Sequence, residues 1–251
     1  MTAVADIYLD LLEKVLTGTL VDTEPDIDDP RFVRRFVEHY IRGNAYTMVP
    51  LARMRNARRC VEDVLVRGVP GDLIETGVWR GGMTIFMRAI LAAHGVTDRR
   101  VWVADSFQGL PEPDSGKFPL EANAHVSKTM VEDYKHFKVG LEDVKANFAT
   151  FGLLDEQVCF LPGWFRDTLP GAPIERLAVM RLDGDYYQST MDALTALYER
   201  LSPGGYVIVD DYGEELWTYC RDAVDDFRRV HGIDAPLERV DRRCYFWQRP
   251  A

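Results

Sequence analysis

Leu73-Ile-Glu-Thr-Gly-Val-Trp-Arg-Gly-Gly82 is the stretch on which the fold turns: an apolar run, then a glycine turn, then a helix start. Just upstream, Gly68-Val-Pro-Gly71 stops a helical pattern and hands the chain to a strand predicted over Leu73–Val78. Downstream, strands and helices alternate, the signature of a parallel sheet covered by helices. The pattern predicts helices over 82–94, 141–151 and 189–201, and strands over 101–104, 157–162, 176–182 and 206–209. Ser189 and Thr190 are cap candidates for the third of these helices, and Met191, Leu194, Leu197 and Leu201 share its apolar face. Ser202-Pro-Gly-Gly205 reads as the turn into the following strand. The closing PLERVDRRCYFWQRP holds two short strands suited to an antiparallel edge.

Working outward, residues 1–70 read as a helical extension and 71–251 as the sheet domain. Helices are expected over 6–20, 31–42 and 50–67, with Ile7, Leu11, Leu12, Val15 and Leu16 as the stripe of the first. The acidic, proline-containing VDTEPDIDDPRF links the first two. The alternation breaks over 107–140, a polar, weakly periodic stretch rich in Pro and Gly, which is the form of a functional lid.

Composition narrows the partners. The chain has 251 residues, 47% hydrophobic and 28% charged, with room for one well-buried α/β core. A net charge of −10 without a basic run disfavours nucleic acid. No apolar run approaches the ~20 residues of a membrane span, and the acidic start MTAVADIYLDLLEKV lacks a signal peptide's basic region. Cys60, Cys159, Cys220 and Cys244 show no metal or disulfide spacing, so a reduced cytoplasmic setting is expected.

The chemistry-bearing residues cluster where strands end, the place where doubly wound sheets bind ligands. The first turn lacks the G-x-G-x-x-G of dinucleotide binders, and its acid, Glu75, could meet the ammonium of a ligand with an amino-acid tail. A plain βα turn fits the stretch equally well. Asp105 ends the second strand, where a carboxylate can accept ribose hydroxyls, with Phe107 as a flank for an adenosine. Gly163 and Trp164 follow the third strand and could border an adenine, although Trp164 also suits core or lid packing. Leu182-Asp-Gly-Asp-Tyr-Tyr187 and Tyr206-Val-Ile-Val-Asp-Asp-Tyr212 then place Asp183, Asp210 and Asp211 at adjoining strand ends. Three converging carboxylates, without His or Cys, point to a hard divalent ion. His125 and His136 fall in the lid, where a base could be delivered to a closed site. His39, His94 and His231 read as structural.

ETGVWRGG, VADSFQGLP, FLPGWFRDTLP, RLDGDYYQSTMDAL and LSPGGYVIVDDYG, in this order, resemble the macrocin O-methyltransferase (TylF/MycF) family. IYLDLLEKVL is similar too, so the likeness covers almost the whole chain. The resemblance implies a Rossmann-like class I methyltransferase: a mostly parallel, seven-stranded sheet with a helical N-terminal extension and a lid insertion. It implies S-adenosyl-L-methionine as donor, S-adenosyl-L-homocysteine as product, and Mg2+ as cofactor. The expected reaction is methylation of a deoxysugar hydroxyl on an antibiotic glycoside, with a phenolic or catechol acceptor as the alternative, and the expected assembly is a homo-oligomer, dimer or tetramer. By the same resemblance, Asp183, Asp210 and Asp211 would hold the metal, and Asp183 would also lie against the donor. Magnesium alone activates a hydroxyl less than zinc does, so a base is expected as well: Asp183 first, because it would sit beside the bound hydroxyl, with His125 or His136 behind it. Glu75, Thr76, Gly77, Val78 and Trp79 would line the methionine end. Asp105, Ser106 and Gln108 would hold the adenosine side, with Gly163 and Trp164 near the adenine and Thr47 and Met48 covering the cofactor. Two positions depart from related patterns: Trp79 stands where many methyltransferases have glycine, and Tyr186 stands where catechol-type relatives have lysine.

Overall fold

The computed structural model describes residues 3–26, 29–119, 122, 136, 138–213 and 218–250. Its strands are β1 (Asp72–Thr76), β2 (Val101–Asp105), β3 (Val158–Pro162), β4 (Leu177–Leu182), β5 (Leu201–Val209), β6 (Glu238–Arg239) and β7 (Tyr245–Gln248). They form one seven-stranded sheet in the order β3-β2-β1-β4-β5-β7-β6. β1 to β5 pair in parallel, and β7 runs antiparallel to both β5 and β6. This is the class I methyltransferase sheet, antiparallel edge included. Strand order reverses between β1 and β4, so ligand-binding loops belong at the carboxyl ends of those strands.

The helices are α1 (Ala3–Leu16), α2 (Phe32–Phe36), α3 (Leu51–Val66), α4 (Gly82–Ala93), α5 (Leu141–Thr150), α6 (Phe165–Thr168), α7 (Tyr187–Leu197) and α8 (Tyr219–Val230). Side chains alternate across the sheet and feed two cores. Leu73, Val101 and Val103 face α1, α3, α4 and α5, whereas Ile74, Trp102 and Met180 face α7 and α8. The N-terminal helices α1 and α3 therefore share a core with the sheet: Leu9, Met54 and Ala57 are fully buried in it.

Several expectations need correcting. α1 stops at Leu16, where the Thr17 hydroxyl donates back to the Glu13 carbonyl at 2.8 Å and Gly18 turns left-handed. Its buried edge is Leu9, Leu12 and Leu16, while Ile7 and Leu11 of the predicted stripe are 67% and 50% exposed. The helix predicted over 31–42 is α2 continued by a π-helix, Val37–Ile41. α7 begins after Tyr186, and Ser189 and Thr190 are buried inside it rather than capping it. Ser202-Pro-Gly-Gly205 lies within β5, where a register shift opposite Leu177–Val179 absorbs the turn-forming residues. Gly205 is required there, because a Cβ would stand 2.6 Å from the Ala178 carbonyl oxygen. α8 was not read from the sequence, although its buried Cys220, Ala223, Val224 and Phe227 are spaced for one helical face.

Candidate active site

The turn after β1 and the strand ends beside it build a cleft. Gly77 leaves β1 with φ +87°, and its hydrogen faces the Asp183 carbonyl oxygen, where a Cβ would sit 1.9 Å away. That close approach joins the two halves of the sheet at the switch point. The cleft encloses about 330 Å³, within the range of small-molecule sites. Met48, Gly77, Trp79, Asp105, Ser106, Trp164 and Asp183 line it, so the structure gathers these expected residues on one surface. Leu110 to Asp114, Lys117 and Phe118 add a further wall from the expected lid. The remaining wall comes from Phe165 and Arg166, from Gly184, Asp185 and Tyr186, and from Gln188, Ser189 and Asp192 of α7.

Other expected residues support the cleft from behind. Asp105 accepts the Val78 amide at 2.8 Å and the Phe107 amide at 2.7 Å, which ties the turns after β1 and β2 together. Its carboxyl is pushed up by burial, against which those amides act. Ser106 donates to the Gly109 carbonyl and accepts the Gln108 amide, while the Gln108 side chain is exposed. Thr47 is buried and its hydroxyl accepts the Val49 amide. Gly163 donates its amide to the Asp105 carbonyl at 2.9 Å. Val78 and Phe107 pack in the core, and Phe107 lies 6.4 Å from the Phe160 ring instead of flanking the cleft. His136 is exposed; its backbone carbonyl, not its ring, accepts the Trp79 indole N–H at 2.7 Å. His125 lies outside the described residues.

The acid cluster converges as its strand positions required. One oxygen each from Asp183, Asp210 and Asp211 lies within 4.8 Å of the others. Sequence reasoning missed the two cations already there. Arg181 of β4, fully buried, donates to Glu75, Asp183 and Asp210, the Asp183 contact at 2.8 Å. Arg53 of α3 donates to Asp210 at 2.5 Å and to Asp241 at 2.6 Å. A charged residue closing the apolar run Leu177–Met180 was the available signal for Arg181. Arg53, 157 residues before its partner, had none.

Two guanidiniums do not neutralise the site. Glu75 is pushed up to about 8 by burial, with Asp183 and Asp210 adding to the rise against Arg181. Asp183 rises to about 6, through burial first and then the charge of Asp210. Asp211 is raised well above the usual carboxylate range by burial and by Asp185, Asp183 and Asp210. Asp210 goes the other way, because Arg181 and Arg53 outweigh its burial. Within the acid cluster, two buried carboxyl oxygens, Oε2 of Glu75 and Oδ2 of Asp211, lack a hydrogen-bond partner among the described residues. Buried acceptors of this kind want a donor or a cation. The all-oxygen set with surplus negative charge fits a hard divalent ion, and the Glu75 oxygen fits an ammonium.

The comparisons agree with this fold. The macrocin O-methyltransferase (TylF) family model matches residues 34–249. A Streptomyces olivaceus relative, the 8-demethyl-8-(2,3-dimethoxy-alpha-L-rhamnosyl)-tetracenomycin-C 4'-O-methyltransferase, is 52% identical over 98% of this chain and 94% of its own. Demethyldecarbamoylnovobiocin O-methyltransferase of Streptomyces niveus is 46% identical over 98% and 94%. The solved structure of the O-methyltransferase NovP superposes with a TM-score of 0.86 at 48% identity, covering 98% of this chain and all of that one. With this sheet, this cleft and these matches across nearly its whole length, the chain belongs to the macrocin O-methyltransferase (TylF) family.

Proposed function

We propose that this O-methyltransferase methylates a hydroxyl of a deoxysugar carried on a natural-product glycoside, with S-adenosyl-L-methionine as donor and Mg2+ as cofactor. One observation carries the reading: of the three clustered acids, Asp183 lines the cleft, so it touches both the acceptor's space and the acid cluster. The tetracenomycin relative is named for a methyl transfer on a rhamnosyl group, which supports a sugar hydroxyl as acceptor.

The donor, when bound, supplies an electrophilic methyl group; the ion, when bound at Asp183, Asp210 and Asp211, would lower the pKa of a sugar hydroxyl beside it. The chain's own residues supply the rest. Glu75 offers its unpartnered oxygen to the donor's ammonium. Asp105, held in place by the backbone amides it accepts, lines the cleft at the end of β2, where a carboxylate can meet ribose hydroxyls. Trp79, Met48 and Trp164 wall the cleft with apolar surface and exclude water. With Oδ2 of Asp183 held by Arg181, Oδ1 is left to receive the hydroxyl proton.

The surroundings fit a small-molecule enzyme. Among the described residues, no helix is long and apolar enough to cross a membrane. A net charge of −10 and an acidic cleft disfavour nucleic acid, and four free cysteines support a reduced, cytoplasmic setting. Val4, Ile7 and Leu11, exposed together on α1, support a homo-oligomer.

The test is turnover of rhamnosyl glycosides against their aglycones, with and without EDTA. Methylation confined to the glycoside, lost in EDTA, restored by Mg2+ and abolished in Asp183→Asn is the expected result. Full activity of Asp183→Asn, or of the wild type in excess EDTA, overturns the reading.

A further inference from the structure

Arg80 sits in the turn after β1, yet its guanidinium does not point into the cleft. It gathers backbone carbonyls from the end of the π-helix and the loop that follows. Nη1 donates to Ala45 at 2.7 Å, to Tyr40 at 3.3 Å and to Gly43 at 3.4 Å, and Nη2 donates to Ile41 at 3.0 Å. Those of Tyr40 and Ile41 are carbonyls that the helix leaves unsatisfied at its C-terminal end, where the dipole favours a cation. Among the described residues Arg80 has no carboxylate partner, and burial pulls its pKa down. Its plane lies over the Trp79 ring, 4.2 Å from the centroid.

The same loop continues as Tyr46-Thr47-Met48, and Met48 is a wall of the cleft. The Gly82 amide donates to the Tyr46 carbonyl at 2.9 Å, so closely that a Cβ on Gly82 would stand 2.6 Å from that oxygen. The turn from Gly77 to Gly82 thus supplies two walls, Gly77 and Trp79, and grips the segment that supplies another. On its far side that segment is held by the Leu16 carbonyl, which accepts the Tyr46 amide at 2.7 Å.

We propose that Arg80 is a positioning residue for the methyl donor: its guanidinium fixes the 40–48 segment against the turn after β1 and so sets the wall that Met48 contributes. The proposal rests on the reading of the cleft as the donor site. It separates donor affinity from the proton transfer at Asp183, which Arg80 does not touch.

Calorimetric titration of the full-length protein with S-adenosyl-L-homocysteine tests it, on the wild type and on Arg80→Met, Arg80→Lys and Gly82→Ala. Kd should rise at least tenfold in Arg80→Met, because the 40–48 segment would lose the four carbonyl contacts that hold it against the turn. Arg80→Lys should fall between Arg80→Met and the wild type, since an ammonium can serve some of the carbonyls. Gly82→Ala breaks the same junction from the turn side and decides the matter if Arg80→Met does not fold. Trypsin cleavage after the exposed Arg42 should be faster in Arg80→Met and slowed by the ligand. Kd values within twofold of wild type in the folded variants, whatever their Tm, overturn the proposal, because a purely structural role would lower Tm alone. A wild type that fails to bind S-adenosyl-L-homocysteine would sink the donor-site reading itself.

Discussion

Glu75 is 2% exposed, with one oxygen on Arg181 and the other without a hydrogen-bond partner among the described residues, and burial lifts its pKa to about 8. A carboxyl raised on folding favours the protonated native state. Its stabilising contribution is complete below the unfolded value of 4.5 and is lost as pH rises through about 8. Each pH unit in that window removes up to about 1.4 kcal/mol. Ligand-free wild type should therefore lose unfolding free energy between pH 5 and 8, by denaturant titration, with a flatter profile in Glu75→Gln and convergence of the two near pH 5. Identical slopes would show that Glu75 ionises as freely in the native state as in the unfolded chain. Asp211 makes a related case, since its orphaned Oδ2 stands in a crowd of acids. Asp211→Asn removes a carboxyl that folding forces toward its protonated form, so the metal-free variant should melt higher at neutral pH, by roughly 2–4 °C per kcal/mol gained. Mg2+ should raise the Tm of the wild type and leave that of the variant unmoved. At this scale the acids were legible, because each ends an apolar run. Arg181 was not legible, because one charged residue inside an apolar strand does not announce the acids it will meet.

Among the elements, α1 shows how far periodicity carries. Its sequence admits two apolar faces, and the sheet chooses between them: Leu9, Leu12 and Leu16 go inward while Val4, Ile7 and Leu11 face out. Apolar spacing alone does not record which face meets α3 and α4, so the predicted stripe mixed both. The consequence is measurable. Leu9→Ala should cost about 2–5 kcal/mol, as full burial dictates. Leu11→Ala should stay within about 0.5 kcal/mol when the protein is dilute enough to be monomeric. Equal losses for the two would mean that α1 sits in the other phase. The β5 error has a different source. Pro203, Gly204 and Gly205 are turn residues by local chemistry, but Ser202 donates to the Pro70 carbonyl at 2.6 Å and Gly204 donates its amide to the Arg249 carbonyl at 2.8 Å. Contacts remote in sequence keep the stretch in the sheet. Strands β1 to β4, by contrast, were legible to within two residues, because each is an apolar run closed by a turn.

Across the whole molecule, Arg53 joins three parts of the chain that the sequence keeps apart. It rises from α3 in the N-terminal region, donates to Asp210 at the end of β5, and donates to Asp241 before β7. Asp241 in turn accepts the amides of Arg243 and Cys244 at 2.8 Å, so one guanidinium anchors the hairpin as well as the acid cluster. No local pattern announces a pairing across 157 residues, which is why the sheet could be read from the sequence and this pairing could not. Removing one partner of a buried ion pair strands the others, at about 3–5 kcal/mol. Arg53→Met should lose that much at pH 7, and Arg53→Lys less. The pH dependence follows from Asp210, whose pKa is lowered by its two guanidiniums. A lowered carboxyl contributes fully above its unfolded value of 3.8 and loses that contribution as pH falls through the lower native value. The difference between Arg53→Met and wild type should therefore hold steady from pH 7 down to about 4 and close only in stronger acid. Denaturant titrations of both proteins across that range measure it. A difference that already vanishes near pH 6 would mean that Asp210 is neutral in the native state and that Arg53 holds the N-terminal region by Asp241 alone.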